Sequence, residues 1–260
     1  MKEWRISQGF LAEQRETLSD REFQVLYKAE FPETSEDALI NWEWIQKAQE
    51  APKEAPKEAP GGEIIIAGCD IAEQGNDLTV VTVVAQNKEN KTYRVLNISS
   101  WGKTDLMPTV AKITPILKQY KVELVRVDAT GVGSGVYSRL DELLREGIVT
   151  AKVEAHKGGL SPHNDAAKIR FLNQKAESYW HLRSLFEAGK INIPVHRVLI
   201  SELSKMKWEL TSAEKIRIRD PGDKEGDTAE NKSPDFADSL NIAVWGGGVP
   251  ALMFSNVTFK

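Results

Sequence analysis

The sequence predicts a mixed α/β fold in which three antiparallel strands are followed by parallel strands, with helices on both faces of the sheet. Three observations predict it. The run Glu63-Ile-Ile-Ile-Ala-Gly-Cys-Asp70 is short, β-branched and ends in an acid, as a buried strand does. Two further strand-like runs, Leu78 to Ala85 and Lys91 to Ser100, flank Asn87-Lys88-Glu89-Asn90, a stretch suited to a hairpin turn. Strand and helix patterns then alternate along the chain, which is how parallel strands with crossover helices are written.

Each later element follows from its own pattern. Asp105 to Tyr120 predicts a helix, Val122 to Asp128 a strand ending in a second acid, Ser134 to Glu146 a helix, and Thr150 to Ala155 a strand. Asn164 is placed to cap one long helix reaching about Ala188, with Ile169, Leu172, Ala176, Trp180 and Leu185 along one side. Arg197 to Met206 predicts another helix, and Lys207 to Arg219 predicts strand. Ser233-Pro234 opens a last helix, with serine at the cap and proline in the first turn, where its missing N–H costs nothing.

The N-terminal quarter is organised differently. Residues 51–62 read Ala-Pro-Lys-Glu-Ala-Pro-Lys-Glu-Ala-Pro-Gly-Gly, a semi-rigid linker, because proline at a four-residue period denies both helix and central strand. Before it, residues 20–29 and 35–50 carry helical spacing. Residues 1–50 have too little apolar surface for a core of their own and must pack on the following domain or on a partner. The division is therefore 1–50, 51–62 and 63–260.

Composition excludes several classes. The 260 residues are 41% hydrophobic, enough for a core and too much for general disorder. No apolar run approaches the roughly 20 residues that span a bilayer, and no apolar stretch follows Met1-Lys2-Glu3-Trp4-Arg5 as a signal peptide requires. The one cysteine, Cys69, makes neither a disulfide framework nor a zinc site. The net charge is -4, yet residues 151–219 carry 13 basic and 7 acidic side chains. Binding phosphates requires local positive charge, and this segment supplies it.

The acids carry the chemistry. Asp70 and Asp128 each end a predicted strand, so adjacent central strands would bring both carboxylates to one sheet edge, where open α/β sheets bind ligands. Asp235 and Asp238, three residues apart on the last helix, share a face. Like charges gathered this closely stay ionised only around a cation. Hard divalent ions take oxygen ligands, and a pair of them stabilises both the attacking and leaving oxygens of a phosphoryl displacement. Each acid also has a structural reading: Asp70 opening a turn, Asp128 capping the glycine-rich turn after it, Asp235 favoured by the dipole at a helix start, and Asp238 as a solvated helix position. The glycines Gly131, Gly133 and Gly135 read as a tight turn. They do not fit the dinucleotide spacing, since Val136 stands where the third glycine belongs. His156, His163, His181 and His196 have no metal-ligand spacing and read as surface or cap residues. Trp101, Trp180 and Trp208 read as core, with base stacking as the alternative.

The stretches Gly68-Cys-Asp70-Ile-Ala with Asn76-Asp77-Leu-Thr-Val-Val81, Val127-Asp128-Ala-Thr-Gly-Val-Gly-Ser-Gly-Val136, Asn173-Gln-Lys-Ala-Glu-Ser-Tyr-Trp180 and Ser233-Pro-Asp235-Phe-Ala-Asp238-Ser-Leu240 resemble, in order and spacing, the nuclease domain of phage terminase large subunits. The resemblance covers about residues 63–246. Residues 1–50 resemble the end of the family's ATPase domain. It implies an RNase H-like fold and a two-metal endonuclease using Mg²⁺ or Mn²⁺ to cut double-stranded viral DNA concatemers during packaging. Asp70 would be the central ligand, Asp128 the second, and Asp238 or Asp235 the third, with Asp77 auxiliary. Lys215, Lys224 and Lys232 precede the last helix and read as surface lysines, with an approach to the scissile phosphate as the alternative. Implied partners are a packaging ATPase domain, a small terminase subunit and a portal protein, in the host cytoplasm. The chain departs from a whole large subunit in having no Gly-x-x-x-x-Gly-Lys-Ser/Thr loop, so ATP hydrolysis is not expected of it. A Holliday-junction-type resolvase on the same fold, a nucleotide-binding protein and a non-catalytic DNA-binding module are the alternative readings.

Overall fold

The structure, a computed structural model, describes residues 37–50, 62–72, 77–102, 104–219 and 233–246. The segment at 20–29, residues 51–61 of the linker, Lys224 and Lys232 lie outside the described residues.

After a short helix α1 (Trp42–Gln49), the chain forms β1 (Glu63–Asp70), β2 (Leu78–Asn87) and β3 (Tyr93–Gly102) as an antiparallel meander. The turn between β2 and β3 falls at the predicted place. The Asn87 side chain accepts the N–H groups of Glu89 and Asn90, and Lys91 takes positive φ. Helix α2 (Leu106–Gln119) leads to β4 (Leu124–Asp128), and α3 (Gly133–Arg145) leads to β5 (Lys152–His156). These strands add in parallel to β1 and to one another. The six-stranded order is β5-β4-β1-β2-β3-β6, the last being the short strand Ile191–Asn192. The mixed sheet and its two helical faces are thus as the sequence predicts.

Alternation along the strands sorts the core. Val81, Val83, Val125 and Val127 face α2 and α3, where Ile113 and Leu140 meet them. Ile66, Val80 and Val84 face the opposite layer, built from α1 and from α5 (Gln174–Glu187), α6 (Arg197–Lys205) and α7 (Asp235–Val244). Because both faces are covered, β1 and β2 read as nearly continuous apolar runs. Residues 37–50 belong to this core: Leu39, Ile40 and Ile45 are buried in it, and Arg183 lies between the rings of Trp44 and Trp180.

Three expectations need correction, and the strand expected over Lys207 to Arg219 is present as a hairpin. The long helix predicted from Asn164 to Ala188 is two helices, α4 (Asp165–Arg170) and α5. Phe171 is extended between them and bridges Ile216, and the Asn173 side chain caps the second helix by accepting from Ala176 N–H. Ile169 and Leu172, placed on the buried side by helical spacing, are 78% and 44% exposed. Lys207 to Arg219 is a separate hairpin of β7 (Lys207–Leu210) and β8 (Ile216–Arg219). Lys215 stands in its turn, where its N–H meets the Thr211 hydroxyl. The last helix is capped at Pro234, with no side-chain cap bond, so serine does not play that part. Finally, His156 and His181 are buried, whereas His196 caps α6 by accepting from Leu199 N–H. Trp180 packs edge-on against Trp208 at 5.4 Å, a core contact.

Among the described residues no helix is long and apolar enough to cross a membrane.

Candidate active site

β1 and β4 lie side by side in parallel with Cys69 opposite Val127, so Asp70 and Asp128 end neighbouring strands at the same edge. Strand alternation puts Gly68 and Asp70 on one face of β1, and Arg126 and Asp128 on the same face of β4. α7 lies across that face. Its approach depends on Gly68, where a Cβ would stand 2.8 Å from Ala243 Cα and nearer still to Ala243 N and Ser239 O. The Ser239 hydroxyl bonds to the Gly68 carbonyl and to the Thr82 hydroxyl. Glycine lets the helix rest on the strand backbone, and this brings the first turn of α7, with Asp235 and Asp238, to the acidic edge.

The turn after β4 is built for the same edge. Thr130 N–H donates to Asp128 Oδ1 at 3.0 Å. Gly131 takes positive φ, and a Cβ on Gly133 would collide with the Asp128 carbonyl oxygen. These glycines make a close-packed turn into α3, as their spacing predicts.

The electrostatics report the convergence. Burial pushes the Asp70 carboxyl well above the usual carboxylate range, and the charges of Asp238, Asp235 and Asp128 push it the same way, with the Lys175 ammonium opposing them. Burial also raises Asp235, with Asp77 and Asp238 adding to the rise. Asp77 therefore belongs to the same acidic neighbourhood.

The two acids of α7 have different partners. Asp235 Oδ2 accepts the N–H of Leu78, the first residue of β2, at 2.7 Å. Asp238 Oδ1 accepts the Tyr179 hydroxyl at 2.7 Å and lies 3.5 Å from Lys175 Nζ. Lys175 and Tyr179 sit on the first turns of α5 and were not singled out by the sequence, although they fall within the stretch that carries the resemblance. Their only local signal is that Asn173 opens a helix there.

In chemistry the donor set fits a hard divalent cation. It consists of carboxylate oxygens whose mutual repulsion a cation would relieve. As the side chains stand, no group of three His, Cys, Asp or Glu among the described residues is arranged to hold a metal ion. Asp128, Asp235 and Asp238 instead take the protein donors just described. Cys69, beside Asp70, is a core atom: burial and the Asp70 charge push its thiol up to about 12.

Below the acids the core contains polar groups. His156, paired in register with Asp128, and His181 on α5 both meet the Trp245 ring edge-on. Burial lowers each imidazole to about 4. Neither nitrogen of His181 has a partner in hydrogen-bonding geometry.

A mixed sheet in this strand order, with acids from two adjacent parallel strand ends and a late helix meeting at one edge, defines an RNase H-like protein. The model of the terminase RNase H-like domain family matches residues 67–244, and the chain belongs to that family. Two solved structures are similar in fold. The nuclease domain of the large terminase subunit gp2 of bacterial virus Sf6 has a TM-score of 0.63 at 17% identity, covering 82% of this chain and 100% of that one. The large terminase nuclease of thermophilic phage G20c with bound magnesium has a TM-score of 0.55 at 16% identity, covering 81% and 97%. The Sf6 domain has also been solved with manganese. A comparison with curated proteins matches none of them.

Proposed function

We propose that this chain is a metal-dependent endonuclease that cuts double-stranded viral DNA concatemers during genome packaging, by two-metal hydrolysis of phosphodiester bonds. The observation that carries the reading is the convergence of Asp70, Asp128, Asp235 and Asp238 on one sheet edge, registered in the raised pKa of Asp70. The magnesium and manganese in the solved relatives support Mg²⁺ or Mn²⁺ as the ions. Bound there, a pair of divalent ions supplies an activated water and stabilises the leaving oxygen.

The chain's own residues have separable tasks. Asp70, with the other acids around it, and Asp128 beside it would hold the metal. Asp238 would be the third, since its partners, Tyr179 and Lys175, are side chains that can rearrange, whereas Asp235 accepts a backbone N–H. Asp235 fixes the start of β2 against α7 through the Leu78 N–H, and Asp77 adds negative charge beside it. Tyr179 and Lys175 orient Asp238. The basic segment 151–219 supplies phosphate contacts. The motor would be a packaging ATPase domain beyond this chain's own machinery, with a small terminase subunit and portal protein as partners, at the procapsid in the host cytoplasm.

The test is cleavage of supercoiled plasmid with EDTA, Mg²⁺ or Mn²⁺ by wild type, Asp70→Asn and Asp128→Asn. Metal-dependent nicking and linearisation, lost in both folded variants, is the expected result. A wild type inert with either ion, or variants that cut as well as wild type, would leave a non-catalytic DNA-binding module as the reading.

A further inference from the structure

We propose that Glu202 and Arg126 are positioning residues of this site, holding α7 at its two ends and so fixing where Asp238 stands against Asp70 and Asp128. The inference rests on the nuclease reading above.

A helix leaves N–H groups without intrahelical partners at its start and carbonyls at its end. α7 has no capping side chain of its own at Pro234. The acceptor comes from another helix: Glu202 of α6 accepts the Ala237 N–H on Oε2 at 2.8 Å and also bonds the Phe236 N–H. At the other end Arg126 Nη1 donates to the Ala243 carbonyl at 3.0 Å, while its Nε holds Glu154 at 3.2 Å. A carboxyl oxygen therefore meets N–H groups at the start of the helix and a guanidinium meets a carbonyl at its end, each supplying a partner that the helix terminus lacks.

The connection to the site is direct. Arg126 lies two residues before Asp128 on the same face of β4. The strand that carries one ligand thus grips the helix that carries another. Glu202 lies in the field of Asp235 and Asp238, which raise it further after burial has done most of the work, to about 8. Both groups are costly to bury. What they secure is one helix, seated between them on Gly68 and Ser239. A shift of α7 along its axis would carry Asp238 away from Asp70 and break its bonds to β1, β2 and β4.

The experiment compares wild type, Arg126→Met, Arg126→Lys, Glu202→Ala and Glu202→Gln by Mn²⁺ calorimetry, by plasmid cleavage per folded molecule, and by hydrogen exchange of residues 235–244 without metal. Outer contacts that orient ligands typically contribute about 10–100-fold in metal affinity or activity. A loss of that size is expected in Arg126→Met and Glu202→Ala, together with faster exchange in α7. Partial recovery is expected in Arg126→Lys and Glu202→Gln, whose side chains still donate and accept. Lower melting temperatures with wild-type Mn²⁺ affinity and cleavage would overturn the proposal. If Arg126→Met does not fold, the Glu202 pair decides. If wild type itself neither binds Mn²⁺ nor cuts, the nuclease reading fails, and α7 exchange in the metal-free proteins still tests the clamp: unchanged protection overturns it.

Discussion

Replacing Gly68 with alanine asks whether α7 must touch β1 for the acids to meet. The added Cβ would lie 2.8 Å from Ala243 Cα, and ordinary contact begins at 3.4 Å, so the helix must retreat by at least about 0.6 Å there, and further at Ala243 N and Ser239 O. Overpacking of this kind costs about 1–3 kcal/mol. Weakening the Ser239 bond to the Gly68 carbonyl adds about 1 kcal/mol. Alanine's better behaviour in a strand offsets about 0.5–1 kcal/mol. The net loss, about 1–3 kcal/mol, corresponds to a melting temperature lower by roughly 2–12 °C for a domain of this size. The effect on cleavage is larger in proportion, because a misplacement of about 1 Å in a catalytic group costs on the order of a hundredfold. Gly102→Ala is the control, since a Cβ there meets nothing within 4 Å. The assay is plasmid cleavage with Mn²⁺ beside thermal melting. A Gly68→Ala protein that cuts and melts like wild type would refute the argument that the site depends on this contact.

Other expectations concern single groups. Asp70→Asn should abolish cleavage yet raise the stability of the metal-free protein, because a buried carboxyl repelled by three acids becomes neutral; a lower melting point without metal would contradict this. For the same reason Mn²⁺ should raise the melting temperature of wild type and leave Asp70→Asn nearly unmoved. Tyr179→Phe removes a hydrogen bond to a carboxylate, about 1.5–3 kcal/mol, and calorimetry should show weaker Mn²⁺ binding through the freed Asp238. His156 and His181 are held at about 4 against 6.5 unfolded. The folded protein then binds fewer protons between those values, so their contribution is complete above pH 6.5 and lost as pH falls towards 4, at most roughly 3 kcal/mol per histidine. Urea unfolding of His181→Gln at pH 7 and pH 5 should show a smaller pH dependence than wild type, and equal dependence would count against the burial argument.

The strand-end acids were legible because two local facts coincide at each: a β-branched run that must be buried, and a carboxylate where the run stops. Asp235 and Asp238 were legible as a pair through helical spacing, but their separate roles were not. Those depend on Leu78 and Tyr179, 157 and 59 residues away. Arg126 reads as an ordinary polar position in a strand and Glu202 as a solvated helix residue; only the packing of α7 shows otherwise. The single long helix was misread because Ile169, Leu172 and Ala176 continue the apolar spacing across a break that the bridge from Phe171 to Ile216 imposes. The histidines were placed at the surface because nothing adjacent to them in the chain reveals the Trp245 ring that covers two of them.

The bond from Leu78 N–H to Asp235 also sets an order of events during synthesis. Six of the strands that matter for the sheet can pair before the ribosome reaches residue 235, but the acidic edge then lacks its third side and β1 lacks the helix that covers it. Docking Asp235 against Leu78 joins residues 157 apart in the chain, a long-range contact that forms late. A nascent chain therefore passes through an interval with its sheet paired but part of one apolar face uncovered and its acids unassembled. Under the proposed nuclease function, cleavage would begin only when the last described helix docks, and an agent that delays this docking would inhibit it without touching the acids themselves.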